Sequence, residues 1–185
     1  MSVNGAVLKP HYQKHLGTNN LPFDVSSDGL ETLQYMSPTP RQSLTIKSNN
    51  SNNTSGTGGV GGNGSHTRIS ASDGYVYLTS KRFIFITATQ GDIDSFVIDL
   101  TLAPLLQLTH KLQAPWFGSN YWQFILFSVP EPSIASDGLP KNEYFKGDLH
   151  FHDGGVFGFV EVLNRVLNDV VNNKDIDESL PAYSA

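Results

Sequence analysis

GYVYLTSKRFIFIT, residues 74 to 87, is the stretch that decides the fold. It holds two runs rich in β-branched and aromatic residues, Gly74 to Leu78 and Arg82 to Thr87, with a polar turn at residues 79 to 81. A third run of the same kind, Ser95 to Leu100, follows after a further turn. Three successive strands with short connections predict an antiparallel meander.

More strand patterns flank this meander on both sides. The predicted segments are Glu31 to Met36, Gln42 to Lys47, Leu105 to Leu112, Tyr121 to Val129 and Tyr144 to His152. Leu105 to Leu112 is also compatible with one helical turn, and its place within a run of strands favours strand. The chain is therefore predicted to be mainly β up to about residue 152.

After that point the hydrophobic period changes from two to that of a helix. Between Val156 and Val171 the apolar side chains recur at i, i+3, i+4 and i+7, and polar residues occupy the opposite face. A helix with one apolar stripe needs one partner surface. The sequence thus predicts an α+β domain, a sheet or small barrel closed by a single C-terminal helix.

At 185 residues, the chain is long enough for one domain of ordinary size. Residues 1–20 show no sustained period and are predicted to form a flexible N-terminal arm. Residues 21–173 are predicted to form the domain, with a disordered insert at 48–67 where Gly, Asn, Ser and Thr dominate. Residues 174–185 are predicted to form an acidic tail.

Composition limits the classes of function. Cysteine is absent, which excludes disulfides and thiolate metal sites and favours a cytoplasmic or nuclear location. No secretory h-region and no transmembrane segment is expected. With 12 basic and 17 acidic residues, the formal charge of −5 does not favour direct nucleic-acid binding.

No motif for catalysis or cofactor binding is evident. The literal GxGxxG at residues 59–64 lies in the polar insert, without the buried strand and the helix that a dinucleotide site requires. His150 and His152 share one face of a strand near Asp148 and Asp153, which could be a metal cluster. An exposed polar face is the favoured interpretation. We therefore expect a non-enzymatic protein with no cofactor and no metal.

Two places are candidate contact sites. Lys81 and Arg82 lie at a predicted hairpin, where paired cations can hold a phosphorylated headgroup. An ordinary charged turn is the favoured interpretation, because no wider basic cluster surrounds them in the sequence. Trp116 and Phe117 precede a strand in the densest aromatic stretch, where a partner or lipid surface competes with simple core packing.

The tail carries a short linear motif, Leu180-Pro181-Ala182-Tyr183. Proline favours an extended, polyproline-like backbone for the residue before it, and this conformation suits the aromatic groove of a WW domain. Pro-Pro-x-Tyr is the usual ligand, and Leu-Pro-x-Tyr is a weaker variant. Leu180, Pro181 and Tyr183 are therefore predicted to bind a WW-domain protein.

The segments GYVYLTSKRFIFI at residue 74, DSFVI at residue 94 and QAPWFGSNY at residue 113 occur in that order. Together they resemble the GRAM domain of the WW domain-binding protein 2 family. The resemblance runs from about Thr32 to Val171 and implies a pleckstrin-homology-like (PH-like) fold, a strongly bent sheet of about seven strands closed by one helix.

Members of that family act as adaptors or transcriptional coactivators and recruit WW proteins, including ubiquitin ligases, through a proline-rich tail. This chain departs from the family because it lacks a long proline-rich tail and has the insert at 48–67. The resemblance implies a non-enzymatic adaptor in the cytoplasm, the nucleus or both. A module that binds phosphoinositides or a membrane surface weakly is the alternative.

Overall fold

The computed structural model describes residues 1–25, 30–49, 67–132 and 135–173. Ten strand segments, one α-helix and two short 3₁₀ helices, Tyr12–His15 and Leu100–Leu102, make up the regular structure of this part of the chain. The segments are β1 (Ser2–Val3), β2 (Leu33–Met36), β3 (Gln42–Ser48), β4 (Arg68–Ala71), β5 (Gly74–Thr79), β6 (Arg82–Thr87), β7 (Ser95–Asp99), β8 (Thr109–Gln113), β9 (Tyr121–Ser128) and β10 (Glu143–Phe151), followed by helix α1 (Val156–Asn173).

The segments form two antiparallel sheets of five strands each. The first sheet has the order β1-β7-β6-β5-β2, and the second sheet has the order β4-β3-β10-β9-β8. Strands β5, β6 and β7 pair in succession, so the predicted meander is confirmed.

Two strand paths bend and take part in both sheets. β2 leads into β3, and β4 leads into β5. At the corner the Ser37 N–H donates to the Val76 carbonyl and the Gly74 N–H donates to the Pro40 carbonyl, both at 2.8 Å. Pairing between the two paths therefore continues around the bend. Counting each bent path once gives about seven strands beside the short β1, so the predicted α+β fold, a strongly bent sheet closed by one helix, is confirmed.

Helix α1 closes the structure with its apolar stripe. Val156, Phe159, Leu163 and Val166 are buried at the predicted spacing. The Phe159 ring lies edge-on to Trp122, with centroids 5.3 Å apart, and Trp122 lies 5.1 Å from Phe83 of the first sheet. Because these rings come from the helix and from both sheets, the aromatic cluster joins all three parts of the core.

The N-terminal residues differ from the flexible arm that was predicted for 1–20. Met1 is buried, and Ser2 and Val3 pair with β7. Further along, Leu8, Tyr12 and Leu16 pack against a second apolar cluster around Phe23 and Tyr77 on the outer side of the first sheet. These apolar residues lie on irregular backbone and have no regular spacing, and so no periodic pattern marks them in the sequence.

One strand boundary also differs. The first residues of the predicted segment Leu105 to Leu112 form a turn, and strand β8 begins only at Thr109. In the predicted insert, Ser48 ends β3 and its N–H donates to the Thr67 carbonyl at 3.0 Å. Residues 50–66 of that insert and the tail from residue 174 lie outside the described residues. No helix in the described ranges is both long and apolar enough to cross a bilayer.

Candidate functional site

Lys81 and Arg82 lie at the turn between β5 and β6, as predicted, and Arg82 is held by an acid. Its Nε donates to Glu31 Oε1 at 2.7 Å, and its Nη2 donates to Glu31 Oε2 at 3.0 Å and to the Asp24 carbonyl at 2.8 Å. The guanidinium carbon also lies 5.7 Å from the centroid of the Phe23 ring. This arrangement fixes the Arg82 side chain within the fold.

A groove of about 490 Å³ runs beside this ion pair. Its charged lining consists of Asp24, Glu31, Lys81, Arg82 and Asp99. A phosphate group placed there would meet three carboxylates and only two cations, one of which already binds Glu31. Contact between lipid phosphate and this pair stays a prediction, and the charges of the groove oppose it.

Trp116 and Phe117 are exposed rather than packed in the core. The aromatic loop, which we define as residues 114–118, connects β8 to β9, and all five of its residues are exposed. The Trp116 side chain is 98% exposed and that of Phe117 is 92% exposed, whereas Leu30, the next large apolar residue among those described, is at 71%. Within the described ranges these two neighbouring rings are the most exposed large apolar side chains, which points to a contact surface.

The base of the aromatic loop is fixed although its tip projects. The Phe151 N–H donates to the Asn120 carbonyl at 3.1 Å. Ser119 Oγ lies 3.0 Å from His150 Nδ1, and the His150 ring stacks on Tyr121 with centroids 4.4 Å apart. Burial lowers the pKa of His150, and so the imidazole favours its neutral form. The two aromatic side chains are therefore presented from a rigid support.

The second imidazole on this face belongs to His152. The rings of His150 and His152 are 6.2 Å apart, and His152 Nε2 lies 2.9 Å from Ser43 Oγ. Asp148 accepts from the Gln123 amide at 2.7 Å, while Asp153 accepts from Arg41 Nε at 2.7 Å. Within the described ranges, no three His, Asp or Glu side chains are grouped as metal ligands would be.

The structure reveals a cationic feature that sequence reasoning missed. Arg68 lies opposite Lys47, and Lys47 lies opposite Lys146, on the three adjacent strands β4, β3 and β10. These residues, which we call the basic row, lie on the outer face of the second sheet, because Ile46 and Phe145 beside them point into the core. In the described part of the chain, no acid forms an ion pair with any of the three.

The basic row is expected to lower the stability of the fold. Side chains directly opposite each other on paired strands have Cβ atoms about 4.5 to 5.5 Å apart, so like charges there repel. The alternation of side chains along each strand does place each of these three residues at an outward position, and this could be predicted from the sequence. Recognising the row required the register of three strands that are distant in sequence.

The WW-binding residues predicted in the tail, Leu180, Pro181 and Tyr183, lie outside the described residues. Of the four predicted contact residues within the fold, the structure places Lys81 and Arg82 at the acid-lined groove. It places Trp116 and Phe117 on the aromatic loop, connected to a different sheet. The four residues therefore do not form one site.

Comparisons with known proteins give similarity in sequence and in fold. A scan against protein-family models matched none. A UPF0664 stress-induced protein of Schizosaccharomyces pombe is 31% identical over 119 residues, which are 62% of this chain and 63% of the relative. The chain thus spans a little under two thirds of the length of that relative. The solved N-terminal PH domain of Vps36 is similar with a TM-score of 0.48 and 17% identity, covering 85% of this chain and 93% of that domain.

Proposed function

We propose that the chain is a non-enzymatic adaptor whose folded domain contacts a protein partner through the aromatic loop. The observation that carries this proposal is the exposure of Trp116 and Phe117, at 98% and 92%. Trp is enriched among residues that dominate binding energy, and aromatic residues as a class are enriched at the centres of protein interfaces. Since the base of the loop is fixed by His150, little ordering entropy would be lost on binding.

The test is affinity capture of partner proteins with the intact chain and with a Trp116→Ala/Phe117→Ala variant. We expect the double variant to keep its thermal unfolding midpoint, because neither ring packs in the core, and to lose its main captured partner. Val171→Ala, which trims another exposed apolar side chain, serves as the matched control. Capture of the same proteins by the double variant and by the control would overturn the proposal.

The adaptor proposal includes a second contact, in the tail. Leu180, Pro181 and Tyr183 form the Leu-Pro-x-Tyr motif, and the sequence motif alone supports binding to a WW-domain protein. Isolated WW domains should retain the intact chain and release a Tyr183→Ala variant. Equal retention of both proteins would remove the tail from the proposal.

The proposed relationship to the GRAM domain and the WW domain-binding protein 2 family is supported by the three sequence segments named above. The coactivator role of that family, and a location in the cytoplasm or the nucleus, are likewise proposals for this chain. Imaging of a labelled full-length protein, before and after loss of residues 174–185, tests the location and its dependence on the tail.

Binding to an anionic membrane surface is a second candidate function, and the basic row favours it. Arg68, Lys47 and Lys146 present three cations side by side, and none of them forms an ion pair with a described acid. Each cation near an anionic bilayer adds roughly 1 kcal/mol of attraction. The assay is flotation with phosphatidylserine vesicles at low salt. We expect the Lys47→Glu/Arg68→Glu variant to remain in solution, whereas the control variant Lys9→Glu/Lys14→Glu floats with the vesicles. Equal flotation of the two variants would show that the basic row does not bind the membrane.

A further inference from the structure

Strand β8 forms the edge of the second sheet beside the aromatic loop. Its pairing with β9 is regular from Thr109 to Gln113, without a bulge. The Phe151 N–H bonds to the Asn120 carbonyl in the β9–β10 register, and the direction of backbone groups alternates along a strand. Odd-numbered residues of β9 therefore bond to β8. It follows that the backbone N–H and C=O groups of His110 and Leu112 point away from the sheet.

The other three sheet edges are covered or interrupted. The Val3 N–H on β1 donates to the Asp137 carbonyl. The Ser70 carbonyl on β4 accepts from the Asp92 N–H at 2.8 Å. β2 has four residues and an irregular register after Leu33. In the described ranges β8, with five residues in unbroken register, is thus the regular sheet edge to which no further backbone segment is hydrogen-bonded. Such an edge is a template for another strand.

A groove of about 240 Å³ lies over the paired strands β8 and β9. Its lining consists of residues 109–111 of β8 and residues 123–125 of β9. Lys111 is exposed there, and in the described part of the chain no carboxylate lies within ion-pairing distance of its amine. The edge therefore offers unpaired backbone groups together with one uncompensated positive charge.

This charge argues against a second copy of the chain as the added strand. If β8 pairs antiparallel with its own copy in the longest register, Lys111 faces the same lysine of that copy. Like charges directly opposite each other destabilise a strand pair, whereas an opposite charge at that position stabilises it. The edge therefore selects a strand that carries an acid opposite Lys111.

We propose that β8 binds an extended acidic segment of the partner protein by strand addition. The backbone groups of His110 and Leu112 provide the hydrogen bonds, and Lys111 pairs with an Asp or Glu side chain of the segment. The aromatic loop begins directly after β8 and contacts the residues that follow in the partner. This inference rests on the proposed adaptor function and names the class of partner, a protein with an exposed acidic β-strand segment.

The test uses random peptides displayed on phage and selected against the full chain. We expect the enriched peptides to share an acidic position within a run of β-forming residues. On binding such a peptide, amide hydrogen exchange should slow at His110 and Leu112. Peptides without an acidic preference, slowed exchange at a different strand, or the absence of any enriched peptide would each overturn the proposal.

Matched variants separate the backbone contribution from that of the side chain. Leu112→Pro and Leu112→Ala both lose the leucine side chain, but only the proline removes the outward N–H, and it leaves the bonds to β9 in place. Loss of one hydrogen bond predicts about five-fold weaker peptide binding for Leu112→Pro than for Leu112→Ala. Lys111→Glu should weaken binding by a similar factor, and a peptide with Lys in place of its acid should restore it.

The same variants separate this inference from the adaptor function. If partner capture requires Trp116 and Phe117 but is equal for Leu112→Pro and Leu112→Ala, strand addition is wrong and the aromatic contact stands. If capture requires the Leu112 N–H but not the two aromatic residues, the aromatic contact is wrong. Should Leu112→Pro fail to fold, the exchange experiment on the unaltered chain decides the question.

Discussion

The guanidinium of Arg82 donates two hydrogen bonds to the carboxylate of Glu31, at 2.7 Å from Nε to Oε1 and at 3.0 Å from Nη2 to Oε2. Thr79 donates to the same Oε1 at 2.7 Å. The Glu31 side chain is 2% exposed and that of Arg82 is 21% exposed. This contact ties the segment before β2 to the turn between β5 and β6.

Breaking this ion pair should destabilise the fold strongly. Glu31→Gln leaves the Arg82 cation in a largely dry site without its counter-charge, and we expect the free energy of unfolding in urea to fall by about 3 kcal/mol. Asp153→Asn is the control, because the Arg41–Asp153 pair is solvent-exposed and should contribute less than about 1 kcal/mol. Equal losses for the two variants would show that burial does not set the strength of the pair.

Two glycines should respond to alanine with opposite signs. A Cβ on Gly147 in β10 would lie 2.0 Å from the Phe124 ring, and so we expect Gly147→Ala to cost about 1 to 3 kcal/mol of stability. Gly158 lies in α1, where a Cβ would meet no atom within 4 Å outside its own helix turn, and Gly158→Ala should stabilise by about 1 kcal/mol because alanine favours the helix. Urea unfolding measures both, and a stabilised Gly147→Ala would mean that the Phe124 ring can move aside.

His110 should make the fold sensitive to acid. Burial lowers its pKa below the usual 6.5, and its buried Nδ1 has no hydrogen-bond partner in the described part of the chain. The unfolded chain therefore takes up a proton at a pH where folded His110 does not, and stability declines as the pH falls below 6.5. His110→Leu should gain stability relative to the unaltered protein between about pH 7 and pH 5. If urea unfolding gives the same difference in free energy between His110→Leu and the unaltered protein at both pH values, this dependence is refuted.

The basic row should make stability depend on salt. Because Lys47 repels both Arg68 and Lys146, added NaCl should raise the unfolding midpoint by screening that repulsion. Lys47→Gln should stabilise the protein at low salt by roughly 0.5 kcal/mol and should reduce the salt effect. A Lys14→Gln variant controls for the change in net charge. An unfolding midpoint of Lys47→Gln at or below that of the control would refute the repulsion.

The strands and the helix could be predicted because burial imposes a period on the sequence. The runs at residues 74–78 and 82–87 alternate or stay apolar as a sheet requires. The stripe predicted from Val156 to Val171 matches the buried face of α1 as far as Val166, whereas Val171 is exposed. Short connections then indicated antiparallel neighbours. Local sequence patterns were therefore sufficient to predict the class of fold and the positions of most strands.

The contacts that define the candidate sites depend on pairs distant in the chain. Glu31 and Arg82 are 51 positions apart, and the basic row exists only because three strands meet in one register. Exposure of Trp116 could not be predicted either, since an aromatic stretch beside a strand usually packs in the core. The pairing of β8 with β9 ends at Gln113 and Tyr121, which leaves the aromatic loop beyond the paired residues.

The hydrogen bond from Ser48 to Thr67 closes the end of the bent hairpin formed by β3 and β4. Strand pairing ends at Asn49, whose N–H donates to the Tyr144 carbonyl at 2.7 Å. We therefore expect a change in the number of residues between Asn49 and Thr67 to leave the strand register unaltered. The entropy of closing a loop rises by only about 0.6 kcal/mol for each doubling of its length. This position is therefore a natural insertion point, where a reporter domain or a protease site could be placed without disturbing either the aromatic loop or β8.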